Sequence, residues 1–115
     1  MLNIMDKTGE FMFETEKFVK NLDELFDNPK QLGNATPTEW YEFLKNANYD
    51  PKPLNRGNYA NLNFKQGGGF RVFWGGDKIL QYHPPGRTHH GEDAYWKLSS
   101  GKTQRLRYDL LGNKI

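Results

Sequence analysis

The stretch FRVFWGGDKILQYH, residues 70–83, decides the fold that the sequence predicts. Five residues rich in aromatic and β-branched side chains precede Gly75-Gly76-Asp77, and six residues with a similar apolar character follow it. Two such runs joined by a glycine-containing turn are typical of a β-hairpin. The glycines at 67–69 lack the Lys-Ser/Thr of a phosphate-binding loop, so they are interpreted as a lead-in to the first strand.

A second hairpin is predicted downstream of this one. Its strands are Ala94–Ser99 and Thr103–Tyr108, and the residues 100–102 between them form a three-residue loop in which Gly101 can adopt a positive φ. This register keeps the apolar residues of both strands on one face. The expected pairs are Ser99 with Thr103, Lys97 with Arg105, and Trp96 with Leu106.

Upstream of the hairpins the hydrophobic period is helical. Residues 11–27 have an amphipathic pattern that Asn28-Pro29 ends. Thr36 and Glu39 have the spacing of a capping box, and Pro37 between them suits the first position of a second helix. Helices followed by two hairpins predict an α+β fold, in which N-terminal helices pack on a twisted antiparallel sheet of about four strands. The 115 residues are expected to form one domain, with a helical part at about 10–50 and a sheet part at about 62–115.

The charge is divided unevenly along the chain. Residues 1–50 carry five Lys and ten Asp or Glu, a net charge of −5, whereas residues 51–115 carry six Lys, five Arg and four acids, a net charge of +7. Because every arginine lies in the second half, we expect that half to bind a polyanion. The chain has no cysteine, and no apolar run approaches the roughly 20 residues of a membrane span, so neither a disulfide nor membrane integration is expected.

The second hairpin carries the candidate site. Alternation along its strands places one set of polar side chains on the face opposite the apolar one: Lys97, Ser99, Thr103, Arg105 and Arg107. Like charges directly across an antiparallel pair are destabilising, which is tolerable where an anion lies between them. A phosphodiester backbone is such an anion, and the hydroxyl groups can donate to its oxygens.

Two adjacent histidines, His89 and His90, lie in the loop that enters this hairpin. Only histidine titrates near neutral pH without perturbation, so the pair suits general acid and general base roles. Glu92 can orient an imidazole or act as a base. Arg87 is a candidate contact to substrate, and Tyr95 is a candidate surface for stacking a base. These residue types match the needs of metal-independent RNA cleavage, in which a base takes the 2′-hydroxyl proton and cations stabilise the phosphate.

The segments GGGFRVFW, ILQYHPPG and HHGEDAYWKLSSGKTQRLRYDLLGN resemble the C-terminal toxin modules of bacterial polymorphic toxins. They are most similar to the superfamily that groups barnase, EndoU, colicin-type tRNases and RelE toxins. The resemblance covers residues 64–115 in motif and the whole chain in the order of elements. It implies a loop histidine at His89 or His90, together with a phosphate-side lysine and serine and a basic last strand: Lys97, Ser99, Thr103, Arg105 and Arg107. A late tyrosine of EndoU-type sites would be Tyr108, although the alternation places Tyr108 on the apolar face.

The resemblance also implies an activity and partners. The protein is expected to be a toxin ribonuclease that cleaves RNA, with tRNA as a candidate, through a 2′,3′-cyclic phosphate and without metal or cofactor. It would be secreted or delivered as part of a larger effector, act in the cytoplasm of a target cell, and be neutralised by a cognate immunity protein.

Two alternatives stay open at the level of sequence. The domain could bind nucleic acid or a protein without catalysis, and its cationic sheet face could equally be an ordinary solvated surface. It could also be a metal-dependent nuclease, with His83, His89 and His90 joined by Glu92 or Asp93, although no metal-binding spacing is present.

Overall fold

The computed structural model describes Val19 and residues 21–57, 60–86, 93–103 and 105–115. Helices come first and strands follow, and the four strands form one antiparallel sheet in the order β1-β2-β3-β4. The predicted α+β class is therefore confirmed. The elements are α1 (Glu24–Asp27), a 3-10 helix (Pro29–Asn34), α2 (Pro37–Asn46), a second 3-10 helix (Phe64–Gln66), β1 (Phe70–Trp74), β2 (Lys78–His83), β3 (Tyr95–Ser99) and β4 (Leu106–Tyr108).

Helix α2 begins at the capping box that the sequence predicts. The backbone N–H of Glu39 donates to Thr36 Oγ1 at 3.1 Å, and the backbone N–H of Thr36 donates to Glu39 Oε1 at 2.9 Å. Two otherwise unpaired donors of the helix start are satisfied in this way. Trp40 and Leu44, one turn apart, are the buried residues of the helix.

The first helix differs from its prediction. Of the expected span 11–27, residues 11–18 and 20 lie outside the described part of the chain, and within it α1 covers only Glu24–Asp27. Residues 21–23 form a turn, in which Asn21 Oδ1 accepts the backbone N–H of Asp23 at 2.7 Å. Asparagine side chains compete with helical hydrogen bonding in this way, which explains the short helix. The predicted end at Asn28-Pro29 is confirmed.

The first hairpin has the strand boundaries that the sequence predicts. The glycines before it admit no side chain at two positions, because a Cβ at Gly68 or Gly69 would collide with the carbonyl oxygen of Leu62 or Tyr82. Gly67 has φ +99°, which favours glycine. The triplet is thus a lead-in that brings the chain close against neighbouring backbone before β1.

The inner face of the sheet consists of two rows that cross all four strands. One row is aromatic and the other is aliphatic. The aromatic row is Phe70, Tyr82, Trp96 and Tyr108, and the aliphatic row is Val72, Leu80, Leu98 and Leu106. Side chains that face each other across strands are the unit of sheet stabilisation, and these rows place like beside like.

The predicted register of the second hairpin is wrong by two residues. Lys97 is opposite Arg107 rather than Arg105, Trp96 is opposite Tyr108, and β4 begins at Leu106 rather than Thr103. Part of the cause is local: Ser100 Oγ accepts the N–H groups of Lys102 and Thr103, and this turn takes the residues after Ser99 out of the ladder. A shift of two residues leaves every side chain on its predicted face.

The helical layer covers the inner face of the sheet. Trp40 of α2 packs against Trp96 of β3 with ring centroids 6.2 Å apart, and its Nε1 donates to the carbonyl of Leu32 at 3.1 Å. Both tryptophans are fully buried. Burial of each large apolar side chain contributes on the order of 2–3 kcal/mol, so this contact is a principal link between helices and sheet.

Asp23 connects the segment before α1 to the first hairpin by two side-chain hydrogen bonds. Its Oδ1 accepts from Lys78 Nζ at 2.6 Å and from Trp74 Nε1 at 2.9 Å. The hydrogen bond from Lys78 is the main cause, and that from Trp74 the second, of a lowered pKa of the Asp23 carboxyl.

Candidate cation-lined groove on the outer sheet face

The face of the sheet that points away from the helices is polar and cationic. Its central row crosses all four strands through Arg71, Gln81, Lys97 and Arg107. Neighbouring strands lie about 4.8 Å apart, so adjacent members of this row are in contact range. Alternation alone produces the arrangement, because each of these residues lies between two core residues of its own strand.

Shorter rows flank the central one. On one side Phe73, Ile79 and Ser99 are opposite one another, and on the other side His83 is opposite Tyr95. The outer face thus offers an apolar surface at one end of β1, cations at its centre, and an imidazole at the end of β2.

With the exception of Arg107 and Tyr95, the residues of these rows line a groove of about 770 Å³, called here the basic groove. Residues 54–56 form one of its walls, and the loop after β3 forms another. Among the described residues that line it, four carry a positive charge and one a negative charge: Arg56, Arg71, Lys97 and Arg105, against Asp77. Such an excess of positive charge attracts polyanions.

The one carboxylate among those residues is engaged with the backbone. Asp77 Oδ2 accepts the N–H of Gly101 at 3.0 Å, which joins the turn of the first hairpin to the loop of the second. This bond holds the loop of residues 100–103, whose Ser100, Gly101 and Thr103 line the basic groove, against the first hairpin.

Lys97 is held in an unfavourable position for a charged group. Burial lowers the pKa of its ammonium group, and the nearby charges of Arg105 and Arg107 lower it further. The Nε of Arg107 is buried and has no hydrogen-bond partner among the described residues. An anion between these side chains would relieve both costs, since it would neutralise the repulsion and accept their N–H groups.

Arg71 is fixed at the other side of the basic groove. Its Nε donates to the carbonyl of Pro53 at 2.9 Å, and its guanidinium carbon lies 5.2 Å from the ring centroid of Phe73. The backbone bond and the cation–π contact both restrict the side chain, so its charge is positioned in advance of any ligand.

Among the described residues, His83 is the histidine that lines the basic groove. Its ring stacks on the ring of Tyr95, with centroids 4.6 Å apart and planes 2° from parallel, and its Nε2 lies 2.9 Å from Gln81 Oε1. The stack and the hydrogen bond orient the imidazole at the edge of the cationic row. From the sequence, His83 was a candidate only in the metal alternative, because the Pro84-Pro85 corner after it could turn the ring towards the site or away from it.

The structure places some of the predicted site residues at the basic groove and others in the core. Lys97, Ser99, Thr103 and Arg105 line the basic groove together, and Arg107 is next to Lys97. Thr103 Oγ1 also accepts the N–H of Ser100 at 3.1 Å, so it has a part in the turn. Tyr95 is buried beneath the stack with His83 and offers no open surface for a base, and Tyr108 lies in the core.

Four of the predicted residues lie outside the described part of the chain: Arg87, His89, His90 and Glu92. Four residues of the basic groove were not predicted from the sequence: Arg56, Arg71, Phe73 and Gln81. The same alternation that was applied to the second hairpin identifies the last three of them when it is applied to β1 and β2, whereas Arg56 comes from a loop and has no periodic signal.

The described residues contain no group of three or more His, Cys, Asp or Glu side chains placed to hold a metal ion. Within the same residues, no helix has the length and apolarity needed to traverse a lipid bilayer. Comparison with known proteins finds no match: no family model, no curated protein and no solved structure is significantly similar to this chain.

Proposed function

We propose that the protein is a metal-independent ribonuclease of the bacterial toxin kind, which holds the phosphate backbone of RNA in the basic groove. The observation that carries the proposal is the row of Arg71, Gln81, Lys97 and Arg107 across the outer sheet face. Three cations in one row, two of them directly opposite each other, are costly without an anion. A chain of phosphates matches such a row better than a single small anion, because its charges repeat along a line.

The chemistry that suits this groove is transfer within the RNA backbone. The 2′-oxygen attacks the adjacent phosphorus, its proton passes to a general base, and the bond to the 5′-oxygen breaks as that oxygen takes a proton from a general acid. Lys97, Arg105 and Arg107 would stabilise the charge of the crowded phosphate, and Ser99 would donate to one of its oxygens. The products would be a 2′,3′-cyclic phosphate and a free 5′-hydroxyl.

The proton transfers are assigned to the loop that enters the second hairpin. His90 is proposed for one of them and His89 or Glu92 for the other, because imidazole titrates near neutral pH and the carboxylate can act as a base. His83 becomes a further candidate, because its ring lies at the edge of the basic groove and is oriented by Tyr95 and Gln81.

The biological setting is proposed from the resemblance to polymorphic toxin modules. The ribonuclease would be delivered within a larger effector, cleave RNA such as tRNA in the cytoplasm of a target cell, and be held inactive in the producing cell by an immunity protein. Expression in a bacterial cytoplasm should then arrest growth, and the His90→Ala variant should not.

The test is incubation of the purified protein with total RNA in the presence of a chelator, followed by analysis of fragment ends. The proposal predicts fragments that carry 2′,3′-cyclic phosphates. Lys97→Gln should lower kcat/KM by about 100-fold or more, as expected when one group that stabilises transition-state charge is lost. Lys65→Gln removes the same charge from the second 3-10 helix, outside the basic groove, where Lys65 pairs with Glu42 of α2 at 3.7 Å, and should leave the rate unchanged.

Two results would contradict the proposal. Intact RNA at high protein concentration would favour a module that binds nucleic acid without catalysis. Cleavage that the chelator abolishes would favour the metal-dependent alternative.

A further inference from the structure

Phe73 is an exposed aromatic residue in a charged groove. Half of its surface is open to solvent, at 50% exposure, and its side chain lines the basic groove. The other large hydrophobic residues exposed in the described part of the chain, Leu111 and Ile115, belong to the C-terminal segment after β4. An aromatic ring exposed inside a groove marks a binding surface more strongly than one on an open surface, since a concave site can enclose what stacks on it.

The ring of Phe73 is held in place before any ligand arrives. Arg71 lies 5.2 Å from its centroid, and Arg71 is itself bonded to the carbonyl of Pro53. Ile79, directly across the strand pair, adds an apolar side chain beside the ring. Little conformational entropy is therefore lost when a flat group stacks there.

The distance from this apolar surface to the cations beside Ser99 suits one nucleotide. Phe73, Ile79 and Ser99 are opposite one another on three successive strands, so Phe73 and Ser99 are separated by roughly 10 Å of sheet. Lys97 and Arg105 line the groove near Ser99. A sugar can span the interval between a base on Phe73 and a phosphate beside Lys97.

We propose that Phe73, with Ile79 beside it, is the stacking surface for an unpaired base, and that the basic groove therefore takes single-stranded RNA rather than a duplex. In a duplex the faces of the bases are covered by their neighbours, whereas a single strand can present them to an aromatic ring. The inference rests on the proposed function, because it names the substrate class of the same site. Because cations surround the ring, a polyanion that carries flat groups fits this groove better as a ligand than an apolar protein segment does.

Binding of three matched ligands tests the inference. They are a fluorescent 2′-O-methyl RNA strand, which lacks the 2′-hydroxyl needed for cleavage, the duplex of the same sequence, and an abasic strand with the same number of phosphates. The inference predicts tightest binding of the base-containing single strand. Phe73→Leu should weaken binding of that strand by roughly 5- to 150-fold, the range for loss of one base stack. Its effect on the abasic strand should be small.

Two further variants test whether the aromatic ring of Phe73 itself is responsible for binding of the single strand. Phe73→Trp keeps an aromatic surface and should restore binding, whereas Leu111→Ala removes exposed apolar surface elsewhere and should have no effect. Equal affinity of the original protein and Phe73→Leu for the single strand would overturn the inference, as would tighter binding of the duplex.

The two proposals fail in different ways. Binding that depends on Phe73 without cleavage of unmodified RNA would support the stacking surface and overturn the ribonuclease. Cleavage at equal rates by the original protein and Phe73→Leu, with equal affinities, would support the ribonuclease and overturn the stacking surface.

Discussion

Lys97 shows at the scale of one residue how a binding role conflicts with stability. Its ammonium group is desolvated, and it lies opposite Arg107 and near Arg105. Because its pKa is lowered in the folded protein, the protonated form opposes folding. This penalty is fully present at neutral pH and is lost as pH rises through the folded pKa towards the ordinary value of 10.5.

Replacement of Lys97 by methionine is therefore expected to stabilise the protein while it weakens RNA binding. Methionine keeps the unbranched shape and most of the length of the side chain and removes the repulsion, so the free energy of unfolding should rise by about 0.5 kcal/mol near neutral pH. Urea denaturation of both proteins from pH 7 to pH 10.5 measures the effect, and the difference should shrink as pH rises.

Lys102→Met is the control, because Lys102 is exposed in the loop after β3. Its effect on the free energy of unfolding should be smaller than that of Lys97→Met, because Lys102 is an exposed surface residue. A less stable Lys97→Met protein at neutral pH would show that Lys97 stabilises the sheet and that the basic groove carries no electrostatic strain.

At the scale of elements, helix α2 is the part of the fold that local sequence determines most completely. Its capping box needs only residues three positions apart, so both its start and its hydrogen bonds could be predicted. Thr36→Ala should lower the free energy of unfolding by about 1 kcal/mol, because the N–H of Glu39 loses its acceptor.

Thermal or urea denaturation measures this effect, with Thr38→Ala as the matched control. Thr38 is an exposed threonine in the first turn of the same helix, outside the capping box. Equal destabilisation by the two substitutions would mean that the capping bonds contribute nothing beyond helix propensity.

The second hairpin shows what local sequence does not determine. Period-two alternation gave the correct face for every residue of β3 and β4, since a face depends only on the parity of the register. The pairing itself depends on contacts from outside the hairpin, among them the bond from Gly101 to Asp77 in the turn after β1. The row of Arg71, Gln81, Lys97 and Arg107 became visible only when all four strands were aligned.

At the scale of the whole molecule, the acidic and basic halves of the chain lie in different layers of the fold. The acidic first half supplies the described α-helices, and the basic second half supplies the sheet whose outer face holds the basic groove. Net charge of +2 is too small for general attraction to nucleic acid, so any RNA binding should depend on where the cations lie.

The most direct test of this account compares two double variants of equal net charge. Lys97→Gln with Arg105→Gln removes two charges from the basic groove, and Lys45→Gln with Lys65→Gln removes two from the helical side, where Lys45 lies over the ring of Tyr41 and Lys65 pairs with Glu42. The measurement is the affinity for the 2′-O-methyl single strand across a series of salt concentrations. The double variant in the groove should bind the strand less tightly. The slope of its log K against log salt should be smaller by about 1.4, because two phosphate contacts on a single strand are lost. The double variant on the helical side should keep the original affinity and the original slope. Equal losses of affinity in the two double variants would contradict the account.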